Sequence, residues 1–235
     1  MNHHLDAKTE PNQPDWVCVG PEAITNATGT VVVIDVLRAF TTACVVWANQ
    51  PASYELTASV ETALARKAEG AIVIGEVNGA KVDGFDYGNS PAEPGLATTT
   101  GKVVVHRSSN GTTAVERAEN AKRLFCASFN NATATYEAIK NDTDVTFCIT
   151  GKGFRPGSAA LDGDEDQACA DFIMALRHGR IINPEAYTAR IHTSNAGRDE
   201  STNPAHDRAI ATQIDTYPHA LIVTRTQSRI WLHPT

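Results

Sequence analysis

Residues 28–43 read TGTVVVIDVLRAFTTA, and residues 100–114 read TGKVVVHRSSNGTTA. Each copy is a valine-rich run, then a short polar turn with an arginine, then Thr-Thr-Ala opening a helical pattern. A short, continuously apolar run bounded by turn residues fits a strand covered on both faces. The first turn carries Asp35 and Arg38; the second carries Arg107, Ser108, Ser109, Asn110, Gly111 and Thr112. Where a strand ends and a helix begins, unpaired backbone N–H groups and the positive end of the helix dipole suit an anion. Two such turns, each with its own arginine, predict one site for a strongly anionic ligand, with both turns at the same edge of one sheet. Asp35 cannot face that anion without a cation between them, and magnesium is the expected cation.

Outward from this doubled unit, strand patterns fall at 31–36, 71–75 (AIVIG), 103–106, 124–126 and 145–149 (VTFCI). Helical patterns fall at 41–48, 60–68, 113–120, 133–140 and 165–176. Apolar strands alternating with helices predict an α/β fold of three layers, α/β/α, around a central mixed, mostly parallel sheet. The doubling marks either an old duplication or two pseudo-symmetric halves of that sheet. Residues 221–224 and 229–232 read as a closing hairpin. Residues 1–15 are polar, hold two prolines and predict a flexible start. No low-complexity linker divides residues 16–235, which are expected to form a single domain. Residues 186–204, rich in Asn, Thr, Ser and Arg, read as surface.

A chain of 235 residues can bury a sizeable core without disulfides or a structural metal. Its formal net charge of -7 offers no general surface for nucleic acid or an anionic membrane, so an anion site has to be a local pocket. The five cysteines are an odd number, far apart, with no C-x-x-C pair, which argues against a zinc site or a disulfide framework. Reduced, buried thiols of a cytoplasmic protein are the expectation. The start lacks a signal-peptide core, and no apolar run is long enough to span a membrane.

Several residues carry candidate chemistry. Asp35 and Glu76 each end an apolar strand, where α/β proteins place their ligands, and both are oxygen donors for a divalent cation. Each has a plainer reading, as a helix cap or a solvated loop acid. Residues 75–97 hold five glycines and two prolines in 23 positions, which suggests an ordered active-site loop containing Lys81 and Asp86. That loop has no GxxxxGK(S/T), so it is not a Walker-type phosphate loop. Lys81 is a candidate for an anionic oxygen, and Asp86 for a metal or an Asx turn. RSSNGT, residues 107–112, is the strongest phosphate signal, with small residues that expose backbone N–H groups beside a helix start. Asp164, Glu165 and Asp166 open a helix, where acids ordinarily serve the cap and dipole. His106 reads as a core histidine with its hydrogen bonds satisfied.

Three blocks in this order and spacing, VIDVLRAFTTA, GEVNGAKVDGFDYGNSP and RSSNGTTA, resemble the 2-phosphosulfolactate phosphatase family. SFNNATAT at 128–135 and GDEDQACADFI around Glu165 resemble its later segments, so the likeness covers roughly residues 30 to 175. The resemblance implies a magnesium-dependent phosphatase. Its substrate would be (R)-2-phospho-3-sulfolactate, cleaved to 3-sulfolactate and phosphate in coenzyme M biosynthesis. It also implies a fold unrelated to haloacid-dehalogenase phosphatases, and the chain indeed has no D-x-D after its first strand. On this reading Mg²⁺ sits between Asp35, Glu76 and the phosphate. Arg38, Arg107 and the 109–112 turn (Ser109, Asn110, Gly111, Thr112) clamp phosphate oxygens, and Lys81 meets the sulfonate or carboxylate. Asp86 or Glu165 is the general acid-base; Asp35 is nucleophile or metal ligand. The expected partner is a small phosphorylated acid, not nucleic acid or membrane, with homo-oligomerisation open. The alternative is a non-catalytic anion-binding or regulatory protein of the same fold.

Overall fold

A computed structural model describes residues 15–152 and 162–235. The expected flexible start up to residue 14, and most of the Gly-rich loop at 151–163, lie outside the described residues. Asp15, at the boundary, is fixed: its carboxylate accepts from Arg177 Nε at 3.1 Å, and both side chains are buried.

Along the chain the elements are β1 (Trp16–Val19), α1 (Pro21–Thr25), β2 (Thr30–Ile34), α2 (Ala39–Ala48), β3 (Ser53–Thr57), α3 (Val60–Ala68), β4 (Ile72–Val77) and β5 (Ala80–Lys81). After a 3-10 turn at Pro94–Thr99 come β6 (Val103–Arg107), α4 (Gly111–Arg117), β7 (Arg123–Ala127), α5 (Ala132–Ile139) and β8 (Val145–Ile149). The chain closes with α6 (Asp164–Arg177), α7 (Pro184–Thr193), α8 (Asn195–Arg198), α9 (Ala205–Ala211), β9 (Leu221–Arg225) and β10 (Ile230–Pro234). Three of these strands, β1, β3 and the two-residue β5, have no counterpart in the sequence reading. SYELT mixes polar and charged residues with only two apolar ones, and WVCV is a run of just four residues, mostly exposed.

Among the described residues ten strands form one sheet, in the order β1-β8-β2-β7-β9-β10-β3-β6-β4-β5. β1, β8, β2 and β7 form one parallel block, and β3, β6 and β4 form another. The antiparallel hairpin β9–β10 lies between them, antiparallel to β7 on one side and β3 on the other. Read outward from the hairpin, β2 on one side occupies the place of β6 on the other. These are the two strands of the doubled sequence unit, so the repeat corresponds to two pseudo-symmetric halves.

The hairpin reverses the strand direction, so the two blocks run in opposite senses and their C-terminal ends do not share one edge as expected. The doubled turns meet for another reason. β2 is buried at all five positions and alternates between two cores. Val31 and Val33 pack with α2 and α4, while Val32 and Ile34 pack with α5 and α6. In the other block Ile74 and Val104 join the α2–α4 core, and Val73 and Val105 face α3. Helices therefore cover both faces, and α2 and α4, one from each half, share one continuous core. At about 20–25° of twist per strand, the five steps from β2 to β6 rotate one strand by roughly 100–125° against the other. Opposed blocks thereby turn their C-terminal ends toward a common cleft.

Candidate active site

The cleft is lined from both halves. β2 and its turn supply Asp35, Leu37 and Arg38; β4 and its turn supply Glu76 and Gly79; the loop after β5 supplies Asn89; and the turn after β6 supplies Asn110. Gly151 follows β8, Glu165 opens α6, and Ala196, Thr202 and Asn203 close the wall. The space is narrow, about 50 Å³, room for only a few waters or one compact oxyanion. Wider hollows of about 550 and 590 Å³ lie elsewhere, one beside α5 and one beside Asp15 and His178. Neither sits at the C-terminal ends of parallel strands, where ligands of α/β folds bind.

The doubled turns touch at Asp35. Its Oδ1 accepts from Ala39 N at 2.9 Å, capping α2, and the N–H of Gly111 also reaches this carboxylate. A Cβ at Gly111 would lie 2.7 Å from Asp35 Oδ2, which explains the glycine at the start of α4. Burial pushes the Asp35 carboxyl up to about 6; neighbouring Glu76 adds to the rise, and the two backbone N–H groups oppose it. Glu76 accepts from Ser109 N at 2.5 Å through Oε1, and from Gly79 N and Ser109 Oγ through Oε2.

Glu165 is 1% exposed, and its Oε2 has no hydrogen-bond partner among the described residues. Burial pushes it up to about 7; its own N–H and the Ser194 hydroxyl oppose this, and Asp162 and Asp35 reinforce it. Asn110 Oδ1 is likewise buried without a partner. Buried oxygens are rarely left unpaired, because each costs about 1–3 kcal/mol. Behind Glu165, Asp166 accepts from Val36 N at 2.8 Å and Gly151 N at 2.7 Å, joining the ends of β2, β8 and α6. Burial and the adjacent acids hold its carboxyl well above the usual range.

One arginine faces this acidity. Arg38 Nη1 pairs with Asp207 Oδ2 at 3.1 Å, and Nη2 donates to Gly79 O at 3.3 Å. Asp207, on α9, is fully buried and also accepts from Ser90 Oγ at 2.5 Å. Three carboxylates and one already paired guanidinium leave the lining acidic, which disfavours a phosphate unless a cation comes with it.

The site thus gathers Asp35, Arg38, Glu76, Asn110 and Glu165, with Ser109 and Gly111 bonding to its carboxylates. Thr112 is one step behind: its N–H donates to Ser108 Oγ at 2.9 Å, and its hydroxyl accepts from Ser108 N. Three further expected residues lie away from the lining and bond to none of its carboxylates. Lys81 is exposed, with Nζ on the carbonyl of Asp86. Asp86 accepts from Lys67 Nζ at 2.6 Å and Val73 N at 2.9 Å. Burial raises its carboxyl, but these donors outweigh that and hold it below the usual range; both partners are distant in sequence, so it anchors the loop to α3 and β4 and is not a local Asx turn. Arg107 is turned away as a brace, with Nε on Ala58 O at 3.0 Å and Nη1 on Ser109 Oγ at 2.9 Å and Glu76 O. Its three acceptors are protein groups, and Arg107 is not part of the cleft lining.

The sequence reading missed the far wall. Residues 186–204 are not simply surface: they include most of α7 and all of α8, and they bury Ile191, Ser194, Ala196 and Asn203. Ser194 caps α8, accepting from Gly197 N at 2.9 Å. SNAG and NPAHD offered the local signal, a cap residue and a proline-led helix start, but polar composition masked it.

Among the described residues no three acidic, histidine or cysteine side chains close on one point as a metal cage would. The donor set here is all oxygen: Asp35, Glu76 and the unpartnered Asn110 Oδ1. Magnesium is ordinarily held by one or two carboxylates together with substrate phosphate, so these residues fit it. No helix among the described residues is long and apolar enough to cross a membrane.

The chain is 36% identical over 126 residues to a probable 2-phosphosulfolactate phosphatase of Thermotoga petrophila. It is 33% identical over 153 residues to one of Bacillus subtilis, and 36% identical over 170 residues to one of Pseudothermotoga lettingae. These alignments cover 54%, 64% and 72% of this chain, and 55%, 65% and 72% of the relatives. The chain thus spans little more than half the length of the first of them. A family model described as 2-phosphosulpholactate phosphatase matches residues 18–211, a span that includes every residue of the cleft lining, and the chain belongs to that family.

Proposed function

We propose that the chain is a magnesium-dependent phosphoric monoester hydrolase acting on the phosphate ester of a small anionic hydroxy acid. 2-Phosphosulfolactate, the compound in the relatives' names, is the leading substrate. The observation that carries this is the cleft itself: an acidic lining with two unpartnered buried oxygens, Glu165 Oε2 and Asn110 Oδ1, beside an oriented arginine. Asp35, Glu76 and Asn110 Oδ1 would hold the cation; after their backbone bonds the carboxylate oxygens keep lone pairs for it. When bound, the cation neutralises charge on the transferring phosphoryl group and polarises a water.

The remaining steps belong to the chain. Arg38, fixed by Asp207 and Gly79 O, turns a guanidinium edge to the phosphate, where negative charge spreads during transfer. Glu165, pushed up to about 7, holds a proton near neutral pH and gives it from Oε2 to the departing alkoxide. Asp86 is not needed for this, since it lies outside the lining. The test is phosphate release from 2-phospho-3-sulfolactate and a panel of phosphorylated hydroxy acids, with Mg²⁺ or Mn²⁺ and with EDTA. Release with the cation and none with EDTA is expected. No release from any compound with the cation present would return the chain to the anion-binding reading.

A further inference from the structure

Asn89 lies deep in the cleft and is held at three points. Its backbone carbonyl accepts from Thr42 Oγ1 at 3.1 Å. Its Oδ1 lies 2.8 Å from His106 Nε2, and Ser90, the next residue, is tied to Asp207. His106 is fully buried, and its other nitrogen, Nδ1, lies 2.7 Å from the Tyr54 hydroxyl. Tyr54 is fully buried too, and its hydroxyl has no other hydrogen-bond partner among the described residues.

This row of three groups has two self-consistent proton arrangements. In one, Tyr54 O–H donates to Nδ1, and Nε2–H donates to Asn89 Oδ1. In the other, Nδ1–H donates to the Tyr54 oxygen, the Asn89 amide is reversed, and its nitrogen donates to Nε2. The second leaves the Tyr54 hydroxyl proton buried without an acceptor, which the first avoids. Burial, with Arg107 next in the chain, lowers the imidazole pKa to about 3, so a doubly protonated ring is no competitor. The first arrangement commits Oδ1 to the histidine and leaves the Asn89 NH₂ without a protein acceptor among the described residues, in the lining of an otherwise acidic cleft.

We propose that Asn89 is an oxyanion-binding residue of this site, its NH₂ aimed into the cleft by the buried Tyr54–His106 pair, which acts as a positioning device. The group bound is a phosphoryl or similarly charged oxygen of the substrate. The inference rests on the phosphatase reading and adds a recognition residue to it. It also gives the doubled fold a function: His106 comes from the β6 half, whereas Arg38 comes from the β2 half. The segment Asn89-Ser90 is bonded to both, through His106 and through Asp207.

The test is direct binding of inorganic phosphate in Mg²⁺ buffer by calorimetry, together with the side-chain NH₂ signal of Asn89 in ¹H–¹⁵N spectra. Asn89→Asp keeps the shape and the acceptor for His106 but replaces the donor with an oxygen. Phosphate binding is expected to weaken by roughly ten- to a hundredfold. Tyr54→Phe removes the partner that fixes the tautomer and should weaken phosphate severalfold; a purely structural tyrosine would lower the melting temperature without altering phosphate affinity. In the wild type the Asn89 NH₂ signal should shift on adding phosphate, which decides the matter even if a variant fails to fold. Wild-type binding that Asn89→Asp leaves intact, or an NH₂ signal blind to phosphate, overturns this inference alone. A wild type that binds no phosphate and releases none from the panel overturns it together with the phosphatase reading.

Discussion

A carboxyl group buried among other acids, with one oxygen lacking a donor, keeps its proton to higher pH; Glu165 is so placed, at about 7. If it protonates the leaving oxygen, kcat should fall as pH rises through about 7, because the protonated form is the active one. Glu165→Gln keeps the shape but cannot titrate. It should lose turnover by about 10²–10⁴-fold and abolish that limb of the profile. An unchanged limb would assign the titration to another group. Arg107 makes the opposite case, a residue whose chemistry invites a ligand role and whose contacts are all structural. Its guanidinium bonds Ala58 O, Glu76 O and Ser109 Oγ. A lysine nitrogen cannot span the three, so Arg107→Lys should cost about 1–3 kcal/mol. For a domain of this size the melting temperature should fall by roughly 2–10 °C. Activity should decline with it as the Glu76 turn loosens. Lost turnover at an unchanged melting temperature would bring Arg107 back to the phosphate.

The contact between β4 and β6 sets where Glu76 and the 107–112 turn stand relative to each other, and Gly75 is its tightest point. Its φ is +137°, and an added Cβ would run into the backbone carbonyl of Arg107, its register partner. Gly75→Ala should therefore destabilise by roughly 2–5 kcal/mol, combining backbone strain and overpacking. Gly70, at φ +98° with nothing within 4 Å of an added Cβ, should show the strain alone. Equal effects in denaturant titrations of the two variants would remove the close approach as a cause. Elements of this half with strong patterns were legible in sequence: AIVIG and the VVVHR strand are apolar runs, and α3 carries its own cap, with Ser59 Oγ accepting from Thr62 N at 3.1 Å. Asp35, Arg38 and Glu76 were legible because they follow such runs directly. Lys81, Asp86 and Arg107 lie outside the lining, Arg107 although it too ends an apolar run, since a strand pattern fixes where a residue stands but not which way its side chain leaves. Asn89 carried no local pattern, and the helix-start signal around Asn203 and Asp207 was masked by polar composition; the place of Asp207 beside the cleft is set by a partner far away in sequence, Arg38.

Two opposed half-sheets whose acidic strand ends meet in a narrow cleft make a molecule whose stability should depend on proton and cation. Asp35 is raised from 3.8 to about 6, Glu165 from 4.5 to about 7, and Asp166 well above 3.8, each chiefly by burial. A carboxyl raised on folding binds its proton more tightly in the folded chain. Its contribution is full below the unfolded value, near pH 4, and is lost as pH rises through the folded value. His106 works the other way: lowered from 6.5 to about 3, it adds stability as pH rises between those values and nothing further above 6.5. Asp86, lowered below 3.8, acts only in more acid solution. Three groups losing stability against one gaining it leave a net fall from about pH 5 to 6.5, and above that His106 no longer opposes the fall. The metal-free protein should therefore melt at a lower temperature at about pH 7.5 than at about pH 5. Magnesium, if it binds at Asp35, Glu76 and Asn110 as proposed, would favour the ionised carboxylates, so it should raise the melting temperature most at the higher pH and flatten the slope. At a hundred times its dissociation constant the gain is about 2.7 kcal/mol, or roughly 5–10 °C for a chain of this length. The check is a set of melting curves across that range with EDTA and with Mg²⁺. A melting temperature that climbs toward pH 7.5 without metal would mean that the buried acids are ionised and paired in some other way. A slope that magnesium leaves untouched would place the cation away from these carboxylates.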